Sequence, residues 1–119
     1  MCPWNLQLEK EAGRYDLKAA TRLDEIVQLA RQEGLRIQLV FIYHGMLTGE
    51  SWGKNPYNWE NDGPCYLASD FFTNQRARNL FKRRLRYIIA RWGYSTNIMA
   101  FELFNEVDLA RYSRFGDVV

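Results

Sequence analysis

Ile37-Gln38-Leu39-Val40-Phe41-Ile42-Tyr43 is the stretch that sets the fold class. It is short, nearly continuous in apolar character and rich in β-branched and aromatic residues. A strand buried on both faces reads this way, and such strands belong to parallel sheets. Directly upstream, residues 16–34 read as a helix. Asp16 is placed to cap it, and Ala19, Ala20, Leu23, Ile26, Val27 and Ala30 recur at helical spacing. Gly34 supplies the C-terminal stop. A helix running straight into a buried strand is an α/β signature.

The same unit recurs downstream. Residues 75–92 form a second periodic stretch, with Asn74 or Thr73 as cap, and Phe81, Leu85, Ile88 and Trp92 as its stripe, flanked by Leu80 and Ile89. After Gly93 comes a second apolar run within residues 97–105. The expected fold class is therefore α/β, with parallel strands at about 36–43 and 97–105 and helices at about 16–34 and 75–92. Parallel strands present their carboxyl ends at one edge of the sheet. Tyr43-His44-Gly45 and Asn105-Glu106 would then face a single cleft.

Between the two units, residues 45–70 lose all periodicity. Gly45, Gly49, Gly53, Pro56, Asn58, Asn61, Gly63 and Pro64 punctuate a segment that also carries Trp52, Tyr57, Trp59 and Tyr66. Loops this long are usually functional or disordered, and disordered segments are poor in aromatics. An ordered, ligand-facing loop is the expectation.

Composition excludes several classes. A net charge of +2 in 119 residues gives no strong global field for nucleic acid or anionic membrane. No apolar run approaches the roughly 18 residues of a membrane span. Met1-Cys2-Pro3-Trp4 lacks a basic segment followed by an apolar one, so the compartment is not legible there. Cys2 and Cys65 leave both a disulfide and two separate thiols open. Without a CxxC or a second histidine they do not make a metal site, and no cofactor is expected. The second helix is basic, with Arg76, Arg78, Lys82, Arg83, Arg84, Arg86 and Arg91; a solvated outer face explains these residues without a ligand.

The chemistry concentrates in Phe101-Glu102-Leu103-Phe104-Asn105-Glu106. Alternation along a strand turns Glu102, Phe104 and Glu106 the same way. A mid-strand carboxylate needs a partner, so Glu102 is read as a structural group behind the site, with an arginine in a part of the protein outside this sequence as its expected counter-ion. Glu106, at the strand's exit, can face a cleft. Asn105 offers both a donor and an acceptor to a sugar hydroxyl.

An Asn-Glu pair closing a hydrophobic strand resembles the end of the fourth strand in clan A glycoside hydrolases, above all family five and its cellulase-like relatives. Arg91-Trp92-Gly93-Tyr94-Ser95-Thr96-Asn97-Ile98 resembles the helix-to-strand lead-in of that family. Asn55-Pro56-Tyr57-Asn58, Gly63-Pro64-Cys65, Phe71-Phe72 and Leu80-Phe81-Lys82-Arg83-Arg84-Leu85 resemble a bacterial cellulase-like subgroup. His44 matches a histidine at the exit of the third strand. The resemblance runs from Cys2-Pro3-Trp4-Asn5, at the exit of strand two, to just past strand four.

What the resemblance implies is a partial (β/α)8 barrel, since a complete one needs about 200 residues or more. Residues 1–119 would be one piece of a single catalytic domain, and the tail after Leu109 would lead into a further helix. The implied activity is hydrolysis of β-linked glycans or oligosaccharides with retention of configuration. Glu106 would be the acid/base, Asn105 and His44 substrate ligands, and Trp4, Trp52 and Trp59 sugar-stacking platforms. The nucleophile of this clan is a glutamate closing strand seven; Glu50, Glu60, Asp62, Asp70 and Asp108 are loop carboxylates at no matching strand exit. The piece alone is therefore expected to be inactive. The resemblance admits an extracellular or periplasmic location. Two other classes stay open: a non-catalytic carbohydrate-binding relative, and a basic nucleic-acid-binding domain.

Overall fold

A computed structural model describes residues 1–109, apart from the side chains of Trp4 and Asn5. The further helix expected in the tail falls mostly outside them. Helix α1, Leu17–Gln32, begins where Asp16 accepts hydrogen bonds from the Lys18 and Ala19 amides. It buries Ala19, Ala20, Leu23, Val27 and Ala30, while Ile26 stays partly in solvent. Gly34 follows with φ +68, a left-handed conformation suited to a residue without a Cβ. Strand β3, Ile37–Val40, pairs in parallel with β4, Ile98–Glu102. Between them lie the short helices α2, Gly49–Gly53, and α3, Asp70–Thr73, and the long helix α4, Gln75–Trp92, capped by Asn74.

Alternation along β3 separates two cores. Ile37, Leu39 and Phe41 turn toward Leu23 and Val27 of α1 and Ile88 and Trp92 of α4. Val40 and Ile42 turn the other way, onto Cys2, Met46, Leu47, Tyr57, Cys65 and Phe71. Cys2 and Cys65 share this second core without a disulfide, and burial pushes the Cys65 thiol up to about 11. The parallel pairing also continues on the far edge of β3. The Met1 amine donates to Gln38 O, and the Val40 amide donates to Met1 O, each at 2.7 Å.

Before α1 stands an antiparallel hairpin that periodicity did not reveal: β1, Glu9–Glu11, against β2, Arg14–Tyr15. Its sequence reads as exposed, yet Glu9 is buried. The reason is Arg84, placed in the core by α4 and donating to Glu9 Oε2 at 3.0 Å. Gly13 N donates to the other Glu9 oxygen at 2.6 Å, and Tyr57 Oη lies 3.4 Å from it. Arg84 thus corrects the expectation of a wholly solvated basic face. Arg91 leaves it too, gripping Asp24 of α1 through Nε and Nη2 at 3.0 and 2.7 Å.

The expected parallel pair is present. Among the described residues the architecture is mixed α/β, with one short parallel pair, one antiparallel pair and no closed sheet. Two regular parallel strands are too few to define a barrel. On one face β4 stands open. Met99, Phe101 and Leu103 are exposed because α1 and α4 both pack over β3, and no described element covers this face of β4 beyond the Phe41 ring stacked on Phe101. The segment 45–70 is ordered as expected, as a series of short helices and asparagine-fastened turns.

Candidate active site

The two strand exits meet. Beyond the regular ladder, Tyr43 and Asn105 form a parallel bridge, with the Asn105 amide donating to Ile42 O at 2.9 Å and the His44 amide donating to Asn105 O at 3.2 Å. This bridge brings the third-strand histidine beside the fourth-strand Asn-Glu pair. His44 Nδ1 lies 3.0 Å from Glu106 Oε2, close enough for an ion pair although not aligned as a hydrogen bond. The imidazole is largely shielded, and the Glu106 carboxylate is about half exposed.

Glu106 itself has φ +54. The left-handed region is unfavourable for a residue with a Cβ, by roughly 1–2 kcal/mol, and such outliers concentrate at functional sites. The chain accepts that strain at the residue whose carboxylate turns toward His44.

Behind the acid sits Glu102. Asn105 Nδ2 donates to Glu102 Oε1 at 3.0 Å, and Gln38 Nε2 donates to Glu102 Oε2. Neutral amides therefore hold Glu102 among the described residues; the arginine expected for it lies outside them. With one amide hydrogen committed to Glu102, Asn105 retains its carbonyl oxygen and a second N–H for a ligand. Glu102, Asn105, Gln38, Val40, Tyr43, Met1 and Cys2 line an open hollow of about 510 Å³ on this face of the sheet. Gln38 was missed in the sequence, whereas Tyr43 was expected at the cleft. The placement of Gln38 follows from the β3–β4 register, which shifts between Ile37 and Gln38 so that Gln38 pairs with Ala100 and Val40 with Glu102. Nothing local in the sequence announces that shift.

The tryptophans disperse. Trp52, on α2, packs its side chain partly against the second core and does not line this hollow. Trp59 stands in a separate turn and lines a different hollow with Glu60, Asp62, Gly63 and Arg76. Trp4 lies in the 3-10 turn Pro3–Leu6, its side chain outside the described set. Among the described residues no group of three His, Cys, Asp or Glu side chains is arranged to hold a metal ion. No described helix is long and apolar enough to cross a membrane.

A parallel α/β unit whose strand exits gather an Asn-Glu pair and a histidine belongs, as a class, with sites built at the carboxyl edge of a sheet. The comparisons with known proteins point the same way. Over 110 residues the chain is 27% identical to two tomato (Solanum lycopersicum) proteins, mannan endo-1,4-beta-mannosidase 5 and mannan endo-1,4-beta-mannosidase 2. The match takes in 83% of this chain and 26% of each relative, so the chain spans about a quarter of the length of the curated relatives it matches. No protein-family model matches the chain, and no solved structure does. The likeness supports a distant relationship to glycoside hydrolases, and the class of hydrolase is as far as it reaches.

Proposed function

We propose that this chain is the portion of a retaining β-glycoside hydrolase that carries its acid/base, Glu106, and that the whole protein cleaves β-linked glycans, β-mannan foremost. The observation that carries this reading is the approach of His44 Nδ1 to Glu106 Oε2 at 3.0 Å across the ends of paired parallel strands. Glu106 donates a proton to the departing glycosidic oxygen, and the same carboxylate then takes a proton from the water that completes the reaction. A second carboxylate, about 5–5.5 Å from the first, attacks the anomeric carbon. By the resemblance, that nucleophile is a glutamate closing strand seven, in a part of the protein outside these residues.

The contacts support the remaining roles. His44, beside the Glu106 carboxylate, limits where it can turn. Asn105, steadied by Glu102, presents its remaining amide groups to a sugar hydroxyl, an interaction that strengthens as charge develops on the ring. Gln38 holds the other oxygen of Glu102 and so stiffens the Asn105 amide. Mannan is put ahead of cellulose and xylan because both tomato relatives bear the name of mannan-cleaving enzymes.

The test is reducing-end release from β-mannan, cellulose and xylan by the complete gene product that contains this chain. Release from β-mannan ahead of the other two is expected. Absence of release from all three would overturn the hydrolase reading, and release from cellulose or xylan alone would overturn the mannan assignment.

A further inference from the structure

Trp59, expected from the sequence as a sugar-stacking platform, does not line the hollow at Asn105 and forms an exposed aromatic pair with Tyr66. Their rings stack with centroids 5.2 Å apart and planes 24° from parallel, and the two residues are 57% and 68% exposed. Large aromatic surfaces held in water are unfavourable unless something covers them.

The turn that presents them is unusually well fastened. Asn58 and Cys65 form a bridge, with the Trp59 amide donating to Cys65 O at 2.7 Å and the Cys65 amide to Tyr57 O at 2.9 Å. Asn58 Nδ2 donates to Trp52 O at 3.0 Å, and its Oδ1 accepts from Glu60 N at 3.0 Å. Asn61 Nδ2 reaches both Gly53 O and Asn55 O, at 2.9 and 3.0 Å. Gly63 packs so closely that a Cβ there would stand 2.2 Å from the Tyr57 carbonyl carbon. A surface fixed in advance binds without losing loop entropy.

Beside the pair lies a hollow of about 410 Å³ lined by Trp59, Glu60, Asp62, Gly63 and Arg76. Glu60, Asp62 and Arg76 make no side-chain hydrogen bond or ion pair with other described residues. Two carboxylates accept and a guanidinium donates, next to a flat apolar face. A pyranose ring needs that combination: a C–H face to stack and hydroxyls to bond. Nucleic-acid bases also stack on aromatic rings, but their phosphates would meet Glu60 and Asp62.

We infer that the Trp59–Tyr66 pair and the adjoining Glu60, Asp62 and Arg76 form a second glycan-binding site, taking a neutral β-1,4-linked chain. It shares no lining residue with the hollow at Asn105. This inference rests on the glycan reading above and extends it to a holding site for the polymer.

The test uses the complete gene product carrying Glu106→Ala, to stop turnover, and labelled with 5-fluorotryptophan. The Trp59 resonance is assigned by its loss in Trp59→Phe, then followed by ¹⁹F NMR during titration with mannohexaose and cellohexaose. A saturable shift is expected with at least one of them, and Tyr66→Ala should weaken binding roughly tenfold. A Trp59 signal that stays still with both sugars, or affinity unchanged in Tyr66→Ala, would overturn the site. Failure here leaves glycan hydrolysis standing. Conversely, a shift at Trp59 in a protein that cleaves no glycan would sink the hydrolase reading and keep this one.

Discussion

At Glu106 the backbone and the chemistry pull in different directions. A left-handed φ of +54 suits glycine, yet the position holds the carboxylate that faces His44. Replacement by glycine should therefore relieve strain that replacement by alanine retains. In thermal or denaturant unfolding we expect Glu106→Gly to be about 1 kcal/mol more stable than Glu106→Ala, with both inactive on substrates that need protonation. Equal stability would mean that the position carries no backbone strain. The neighbouring residues differ in how far they were legible. Asn105 and Glu106 stand out because they end an apolar run, and His44 because it ends another. Gln38 does not, since its role depends on a register shift between two strands about 60 residues apart in sequence.

Among the elements, α1 and α4 were readable because their apolar stripes repeat at helical spacing and their caps are asparagine and aspartate. The β1–β2 hairpin was not. Glu9-Lys10-Glu11 reads as surface, and Arg84 reads as one more cation on a basic helix; only the fold shows them joined in the interior. Removing one member of a buried pair leaves an uncompensated charge, at about 3–5 kcal/mol, whereas replacing both with apolar residues is often neutral. Arg84→Met should therefore destabilise strongly, and Glu9→Leu combined with Arg84→Met should recover most of the loss in a double-mutant cycle. Additive losses would count against the pairing. The pH dependence has a definite sign. Burial raises the Glu9 carboxyl above its ordinary 4.5, against the lowering pull of Arg84. A raised group favours the fold below its unfolded value and loses that contribution as pH rises through its folded value. Wild type should gain stability relative to Glu9→Gln as pH falls toward 4.5, and level off below it.

The whole molecule presents a sheet with one covered strand and one half-bare strand. A nearly continuous apolar run made β3 look like an interior strand, and it is one, with Met1 on one edge and β4 on the other. For β4 the sequence said less: Met99, Phe101 and Leu103 are exposed, because an apolar run says that a face wants cover without saying which element supplies it. The barrel expectation belongs to the resemblance, since the described strands do not close a sheet. What the two strands do define is an edge at which His44, Asn105 and Glu106 converge, and the proposed chemistry rests there. The most direct measurement is hydrolysis of aryl β-mannosides of graded leaving-group ability by the complete gene product, wild type beside Glu106→Ala, with and without azide. A retaining acid/base variant should be slowed by about 10²–10⁴-fold on poor leaving groups, far less on good ones, and be partly rescued by azide as the β-glycosyl azide. Equal rates for the two proteins on poor leaving groups would contradict the assignment of Glu106 as the acid/base.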